Sequence, residues 1–319
     1  MGSAFWRWVL GVIAGACLSG VPAFASAEDL CGPPSEATDP QPLHINGSKP
    51  FVYKTIGNTE LRLHVFSSAN HKPGDRSPAV VFFYGGGWVF GDVRRYQTQA
   101  THLALRGLVT VLVSYRDKCR NGPTTTIMDE VADAKSAMRW VRGHANELGV
   151  DPSRIAAVGS SAGGQLAAAT ALITEFDDPA DPHIDPRPNA LVLYNPGLEL
   201  ASPNAIRVIT RVWGNAVADH LRDLSPIDHL DRGLPPTIIF AGTADKTVPP
   251  ASHQEFCRRA RALKAQCELV LYPGAPHGFT EIWMGLDDPA NFPKTEFWAS
   301  DTSRRTDAFL TKLGWLPRH

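Results

Sequence analysis

The sequence predicts an α/β fold, with a mostly parallel central sheet and helices on both of its faces. Apolar segments of strand length alternate with segments of helical periodicity through most of the 319 residues, which is the pattern of consecutive βαβ units. Several strand segments are apolar without interruption, for example SPAVVFFY at 77–84 and LVTVLVSY at 108–115. Uninterrupted apolar strands are typical of a parallel sheet that helices cover on both sides.

A hairpin opens this fold and supplies antiparallel strands at one edge of the sheet. The segment FVYKTIGNTELRLHVF at 51–66 contains two runs of alternating apolar residues around Gly57 and Asn58, which favours a hairpin turn. Further strands are expected at 154–160, 189–195, 237–243 and 267–273, and helices at 95–107, 127–149, 162–173, 251–264 and 302–313.

One long segment interrupts the alternation of strands and helices. Residues 197–235 show weak periodicity, and we interpret them as a small insertion that lies over the strand ends and the active site. Because no repeat or linker divides the chain after the hairpin begins, we expect a single domain at 51–319.

The first 27 residues have the features of a secretory signal peptide. The apolar run 8–18 follows a short basic start and precedes small-residue motifs, which predict cleavage after Ala25 or Ala27. A permanent anchor helix is less favoured, because Pro22 cuts the run short of the roughly 20 residues that a membrane span needs. Residues 28–50 are rich in Pro, Ser and Asp and indicate an irregular arm. We therefore expect a secreted or periplasmic protein.

The cysteine content agrees with export. The chain has five cysteines, of which cleavage leaves four, and an even number in an exported protein favours two disulfides. Cys257 and Cys267 form the more local pair, which leaves Cys31 and Cys119 to tie down the N-terminal arm. The sequence leaves this connectivity open. The spacings do not fit a zinc site, and no metal is expected.

The charge balance excludes one class of partner. Lys and Arg number 31, Asp and Glu number 32, and no strongly basic stretch stands out. A nucleic-acid partner is therefore not expected. The oligomeric state is not indicated by any sequence feature.

The strongest chemical signal is the pentapeptide Gly159-Ser160-Ser161-Ala162-Gly163. It follows a predicted strand at once and opens a predicted helix, which is the context that a G-x-S-x-G nucleophile turn requires. Such a turn presents the Ser161 side chain at the carboxyl edge of the sheet, beside the positive end of the following helix. A simple turn with capping serines is the alternative interpretation of this motif taken alone.

An acid and a base follow the serine in the order that this chemistry requires. A serine hydroxyl is a weak nucleophile until a base accepts its proton and an acid orients that base. Asp245 comes directly after the predicted strand TIIFAG, and His277 comes after the predicted strand CELVLY. Since parallel strands end at the same edge of a sheet, Ser161, Asp245 and His277 are expected to meet there as a catalytic triad.

These motifs together resemble the α/β-hydrolase family, in its branch of hormone-sensitive-lipase-like and acetyl-esterase-like carboxylesterases. YGGGW at 84–88 resembles the H-G-G-G-W oxyanion loop of that branch, and GSSAGG at 159–164 resembles its G-D-S-A-G-G turn. GTADKTVP at 242–249 resembles its acid loop, and PGAPHGF at 273–279 resembles its histidine loop. The resemblance covers about 51–315 and implies the α/β-hydrolase fold.

The resemblance implies a function as well as a fold. Ser161 would be the nucleophile, His277 the general base and acid, and Asp245 the carboxylate that orients the histidine. Secreted bacterial esterases of this type hydrolyse short acyl esters, some of them on acetylated polysaccharides. The expected partner is therefore a small-molecule or carbohydrate acyl ester, and no cofactor is needed.

Backbone amides are expected to hold the oxyanion that forms on the substrate. The donors would be Ala162 and the glycine run Gly85, Gly86 and Gly87, with Gly86 as the first choice. Glycine suits this position because it lets bare backbone approach the reacting atoms.

Four further residues are expected to line the substrate pocket. Tyr84 stands where the family usually carries histidine, and Ser160 stands where it frequently carries aspartate. Trp88 follows the glycines and would form a wall of the acyl pocket, while Trp213 in the insertion would do the same on the alcohol side.

Three other functions compete with the esterase hypothesis. The loops around Asp245 and His277 also resemble those of prolyl-oligopeptidase-like serine peptidases, which usually carry a large additional N-terminal domain. A catalytically silent hydrolase fold used for binding is a second alternative, which an intact set of Ser161, Asp245 and His277 disfavours. Nucleotide binding by the glycines is a third, and the segment lacks both common phosphate-binding patterns.

Overall fold

A computed structural model describes residue 31 and residues 41–280 and 292–317 of the chain. The expected signal peptide at 1–27, with its two possible cleavage sites, lies outside the described residues. So does most of the expected arm at 28–50.

Eight strands of the described chain form one sheet. They are β1 (Lys49–Ile56), β2 (Thr59–Phe66), β3 (Ser77–Phe83), β4 (Val109–Val113), β5 (Val150–Ser160), β6 (Ala190–Tyr194), β7 (Thr237–Gly242) and β8 (Cys267–Tyr272). Their spatial order is β1-β2-β4-β3-β5-β6-β7-β8. The two pairs that contain β2 are antiparallel, and every other neighbouring pair is parallel.

Helices connect these strands and cover the sheet. In chain order the described α-helices are α1 (Gln97–Leu105), α2 (Lys118–Asn121), α3 (Ile127–Gly143), α4 (Ser161–Leu172), α5 (Pro203–Trp213), α6 (Asn215–Ala218), α7 (Pro250–Ala262) and α8 (Phe292–Lys312). Two short 3-10 helices occur at Val93–Tyr96 and Pro226–His229. This arrangement confirms the predicted fold class, including the antiparallel strands at one edge.

The central strands form the core, as their uninterrupted apolar sequences predict. Every residue of β4, β6 and β7 is buried, because helices shield both faces of the sheet. The parallel strands all end at one edge. The loops that follow β3, β5, β7 and β8 therefore start close together, and these are the loops that carry the predicted catalytic residues.

The last helix begins ten residues earlier than the sequence analysis placed it. α8 starts at Phe292, whereas helical periodicity predicted a start near residue 302. The missed turns contain polar residues that obscure an apolar stripe, and the structure gives one of them, Asp301, two partners. Asp301 accepts hydrogen bonds from Tyr272 and Arg305.

The predicted insertion consists of α5, α6 and the 3-10 helix at Pro226–His229. Lys118 attaches α5 to the loop after β4. Its ammonium donates to the carbonyl of Val212 at 2.9 Å and lies 4.4 Å from the centre of the Trp213 ring. Burial lowers the pKa of Lys118.

Two disulfides link the expected cysteine pairs. Cys257 joins Cys267 and connects α7 to β8, while Cys31 joins Cys119 across 88 residues of sequence. The amide of Cys119 also donates to the carbonyl of Val89 at 2.9 Å. The second disulfide thus reaches the loop that follows β3. None of the helices in the described residues combines the length and the apolarity that crossing a bilayer demands.

A buried carboxylic acid lies in the first turn of α3. Glu130 is fully buried, and within the described chain its two carboxyl oxygens have no hydrogen-bond partner. Burial raises its pKa well above the ordinary value, and the nearby carboxylates of Asp117, Asp133 and Asp129 raise it further. An acid whose pKa rises on folding holds its proton in the native state after the unfolded chain has released its own.

Glu130 should therefore make the protein less stable as pH rises. Below pH ~4.3 both states hold the proton, and above it the unfolding free energy falls by up to ~1.4 kcal/mol per pH unit until the native acid ionises. We expect Glu130→Gln to remove this slope, so that its stability relative to the wild type grows from pH 4 to pH 8. Urea unfolding at several pH values measures the slope. The exposed Glu147→Gln is the control, and a difference that does not change with pH would contradict this assignment.

Candidate active site

The nucleophile turn joins β5 directly to α4. Ser161 has a φ of 51°, a left-handed conformation that costs a non-glycine residue about 1–3 kcal/mol and persists where the surroundings enforce it. A Cβ at Gly159 would collide with the backbone of Gly163, and a Cβ at Gly163 would collide with the carbonyls at the end of β3. Both glycines of the motif are therefore needed for the close packing that holds Ser161 in this turn.

Ser161, His277 and Asp245 form a continuous chain of hydrogen bonds. The distance from Ser161 Oγ to His277 Nε2 is 2.9 Å, and that from His277 Nδ1 to Asp245 Oδ2 is 2.8 Å. Because an ionised carboxylate only accepts, His277 donates from Nδ1 and keeps Nε2 free to accept the serine proton. This is the geometry of a general base beside a nucleophile.

Main-chain groups fix the carboxylate in turn. Asp245 Oδ1 accepts hydrogen bonds from the amides of Thr247 and Val248 at 2.9 Å and 2.8 Å, and the carboxylate is shielded from solvent. The amide of Ala244 donates to the carbonyl of Ala275 at 3.0 Å, which joins the acid loop to the histidine loop. The aspartate therefore organises its own loop and orients the histidine.

The glycine run turns sharply beside the nucleophile. Gly86 has a φ of 146°, its carbonyl accepts from the amides of Val89 and Phe90, and a Cβ there would collide with the Phe90 carbonyl. A Cβ at Gly85 would lie 3.3 Å from the Ser161 Cβ, so this backbone lies against the nucleophile. Within the described residues, the amides of Gly86 and Gly87 donate to no backbone acceptor, and both can serve as oxyanion donors.

Ala162 occupies the position expected for a further oxyanion donor. It is the second residue of α4 and buried. Its amide belongs to the first turn of a helix, where N–H groups lack intrahelical acceptors.

Tyr84 and Ser160 lie behind the site, so the expectation that they line the substrate pocket does not fit their burial. Each is 1% exposed. The Tyr84 ring stacks on Tyr115 with centroids 4.1 Å apart, and the Tyr84 hydroxyl contacts Gln41 and the Tyr115 carbonyl. Tyr84 therefore packs in the core and supports the glycine loop from the interior of the protein. Ser160 Oγ lies so near the Gly85 backbone that a Cβ there would be 2.9 Å away.

Trp88 is placed beside the nucleophile. Its indole N–H donates to Gln165 Oε1 at 3.1 Å, and its ring tip lies 3.5 Å from where a Cβ of Gly197 would be. The Gly197 amide donates to the carbonyl of Ser161 at 3.1 Å. The indole therefore fills space next to the serine turn. Trp213 is buried at the end of α5 and contacts Lys118.

Sequence reasoning missed two buried polar residues around the triad. Gln165 accepts from Trp88 and donates to the Leu224 carbonyl at 3.0 Å, so it ties the glycine loop to the insertion. His253 in α7 donates from Nε2 to the Pro196 carbonyl at 2.9 Å. Burial lowers the pKa of His253 to about 4, so it stays neutral. Neither residue belongs to a motif, and their partners are distant in sequence.

Asp245→Asn should slow the reaction of Ser161 with a fluorophosphonate probe by about 10³–10⁴-fold, with the fold intact. A neutral amide can present an N–H group to His277 Nδ1, which moves the imidazole proton to Nε2 and prevents it from accepting the serine proton. Timed labelling followed by mass spectrometry of the Ser161 peptide measures the rate. Asp219→Asn, at the end of α6, is the control. Labelling of Asp245→Asn at the wild-type rate would show that this carboxylate does not govern the histidine.

Comparison with solved structures reveals a similar enzyme. The apo form of Thermogutta terrifontis esterase 2 is 38% identical, with a TM-score of 0.78 over 86% of this chain and 98% of that chain. The same esterase has been solved with propionate bound and with butyrate bound, and phosphorylated by paraoxon.

Curated relatives are more distant than this structural neighbour. Esterase LipC of Mycobacterium tuberculosis is 30% identical over 224 residues, which cover 65% of this chain and 54% of LipC. Carboxylesterase NlhH of the same species is 30% identical over 237 residues, which cover 65% of this chain and 68% of NlhH. The chain spans about half the length of the first curated relatives it matches.

A family model matches the part of the chain that carries the candidate site. Residues 80–281 match a family described by its alpha/beta hydrolase fold, and this range contains the glycine loop and all three residues of the hydrogen-bonded chain. The match covers well over half of the sequence, and the order and direction of the strands agree with it. The chain is therefore a member of the alpha/beta hydrolase family.

Proposed function

We propose that this protein is a serine carboxylesterase that hydrolyses esters of short acyl chains. The observation that carries the proposal is the unbroken hydrogen-bond chain from Asp245 through His277 to Ser161. This hydrogen-bond chain ends beside backbone amides that can donate hydrogen bonds to an oxyanion. The esterases with similar sequences and structures support the same reaction class. A binding protein without catalysis would not require this alignment of donors and acceptors.

The reaction would proceed in two acyl transfers. Ser161 Oγ attacks the ester carbonyl while His277 Nε2 accepts its proton, and the tetrahedral oxyanion accepts hydrogen bonds from the amides of Gly86 and Ala162. His277 then gives the proton to the leaving alcohol. Water attacks the resulting acyl-enzyme with His277 again as the base, which releases the acid and restores Ser161.

The acyl side is proposed to accept short chains. The Trp88 indole occupies the space beside Gly197 and the serine turn, and its hydrogen bond to Gln165 holds it there. A rigid aromatic wall close to the nucleophile limits the length of an acyl group that fits. Thermogutta terrifontis esterase 2, which has been solved with propionate and with butyrate, supports a preference for acids of this size.

The alcohol side of the proposal is an acetylated carbohydrate. It comes from the resemblance of the glycine and histidine loops to secreted acetyl esterases, and a soluble polymer is a suitable substrate for an exported enzyme. Trp213, tied to Lys118 at the edge of the insertion, is the aromatic residue that we assign to this side.

A panel of esters tests this function directly. The wild type should hydrolyse p-nitrophenyl acetate and butyrate much faster than the octanoate, and should release acetate from acetylated xylan. Ser161→Ala should lower kcat by at least ~10⁴-fold, because the nucleophile is lost. Ser153→Ala, near the start of β5, is the matched control and should retain full activity.

Three outcomes of the panel would change the assignment. Equal rates for the wild type and Ser161→Ala would refute the serine mechanism. Fastest hydrolysis of the octanoate would refute a short acyl pocket. Cleavage of an aminoacyl-proline anilide far above that of the acetate would favour the peptidase alternative.

We also propose that the protein is exported, with the signal peptide removed after Ala25 or Ala27. The apolar start of the sequence supports this, and so do the two disulfides, since such bonds form in oxidising compartments.

N-terminal sequencing of protein recovered from the periplasm or the medium tests the export proposal. The expected first residue is Ser26 or Glu28, according to which small-residue motif is cleaved. Recovery from the cytoplasm of a chain that starts at Met1 and carries four alkylatable thiols at the disulfide positions would contradict it.

A further inference from the structure

Arg95 contacts the glycine loop at the peptide between Gly85 and Gly86, whose N–H is the first choice for an oxyanion donor. It lies in the 3-10 helix Val93–Tyr96, and its guanidinium Nη1 donates to the carbonyl of Gly85 at 2.6 Å. Hydrogen bonds from a charged donor are shorter and stronger than those between neutral groups. The Gly85 carbonyl is therefore held in one direction.

The direction of that carbonyl determines the direction of the next amide. The described chain contains no cis peptide bond. In a trans peptide the C=O and the following N–H lie in one plane and point in opposite directions. Since the Gly85 carbonyl points toward Arg95, the Gly86 N–H points away from it. Gly85 itself lies against Ser161, with 3.3 Å between a Cβ at Gly85 and the Ser161 Cβ. The peptide that carries the Gly86 N–H therefore lies next to Ser161 and has its carbonyl turned toward Arg95.

This peptide needs an external restraint, because its own side chains supply none. It joins two glycines, whose backbone torsions are the least restricted of any residue, and Gly86 has a φ of 146°. A rotation of the peptide plane would place the Gly85 carbonyl where the amide now lies. An acceptor would then face the oxyanion in place of a donor.

The neighbouring carbonyls are held by other groups. The Tyr115 hydroxyl donates to the carbonyl of Tyr84 at 2.5 Å, and the carbonyl of Gly86 accepts from two amides of its own loop. The carbonyls of Tyr84, Gly85 and Gly86 thus each accept a hydrogen bond. Arg95 donates to the Gly85 carbonyl, which belongs to the same peptide as the Gly86 N–H.

We propose that Arg95 is a positioning residue for catalysis, which orients the Gly85–Gly86 peptide so that the Gly86 N–H faces the developing oxyanion. Arg95 does not touch the substrate in this proposal. It rests on the esterase function proposed above, and it adds a residue that none of the sequence motifs contains.

Kinetics of Arg95→Ala, compared with Arg94→Ala, test this role. Arg94 precedes Arg95 in the same 3-10 helix and pairs with Asp92. With p-nitrophenyl acetate, Arg95→Ala should lower kcat by about 10- to 100-fold, which is less than the 10²–10³-fold typical for complete loss of an oxyanion donor. KM should stay within about twofold, because the ground-state carbonyl gains little from the amide. Arg94→Ala should have the wild-type kcat.

Two further measurements separate positioning from support of the fold. Phenylboronic acid forms a tetrahedral adduct with an activated serine. Its inhibition constant should therefore rise in Arg95→Ala by about the same factor by which kcat/KM falls. Millimolar guanidinium added to Arg95→Ala should restore part of kcat, and Arg95→Lys should fall between Arg95→Ala and the wild type. Thermal unfolding of every variant is recorded in parallel.

The role of Arg95 can be refuted by results that leave the proposed esterase function intact. It is overturned if Arg95→Ala keeps the wild-type kcat. It is also overturned if KM rises while kcat is unchanged, or if kcat falls without weaker boronate inhibition. Should Arg95→Ala not fold, Arg95→Met fills similar space without a donor, and unaltered kcat and boronate inhibition in that variant would refute the role. Loss of the esterase assignment itself would appear separately, as equal activity of Ser161→Ala and the wild type.

Discussion

Contact between bare backbones at the end of β3 and the start of α4 sets the geometry on which the site depends. Gly163 brings the first turn of α4 against the carbonyls of Phe83 and Tyr84, where any Cβ would collide. The glycine loop continues β3, so the same contact places that loop beside Ser161. The turn that carries Ser161 and the glycine loop are thus positioned by one packing constraint, before any side-chain contact of Asp245 or His277 is considered.

Main-chain hydrogen bonds extend this constraint to the other loops of the site. The Gly197 amide bonds to the Ser161 carbonyl, and the Ala244 amide bonds to the Ala275 carbonyl. The segments after β5 and β6 are therefore tied together, as are those after β7 and β8. Donors and acceptors fixed in this way need little reorganisation when charge develops in a transition state, which is the main source of electrostatic catalysis.

The sequence was sufficient to predict the strands and the fold class, because both depend on local patterns. Uninterrupted apolar runs marked the buried strands, and Asp245 and His277 stood directly after two of them. The start of α8 was missed because Asp301 looks like a loop residue until its partners Tyr272 and Arg305 are known. Tyr84 was expected at the pocket, since sequence alone could not show that its hydroxyl meets Gln41 and the Tyr115 carbonyl.

Gln165 couples two parts of the site, the Trp88 ring and the insertion. Its carboxamide accepts from the Trp88 indole and donates to the Leu224 carbonyl, so one side chain joins the acyl wall to the insertion. The position of the Trp88 ring therefore depends on the position of Leu224. A change of length in the insertion that moves Leu224 removes one of the two restraints on Gln165, and the orientation of Trp88 changes with it. Under the proposed function, a change in the insertion that accommodates a new alcohol therefore also alters the acyl side, unless Gln165 or Trp88 changes at the same time.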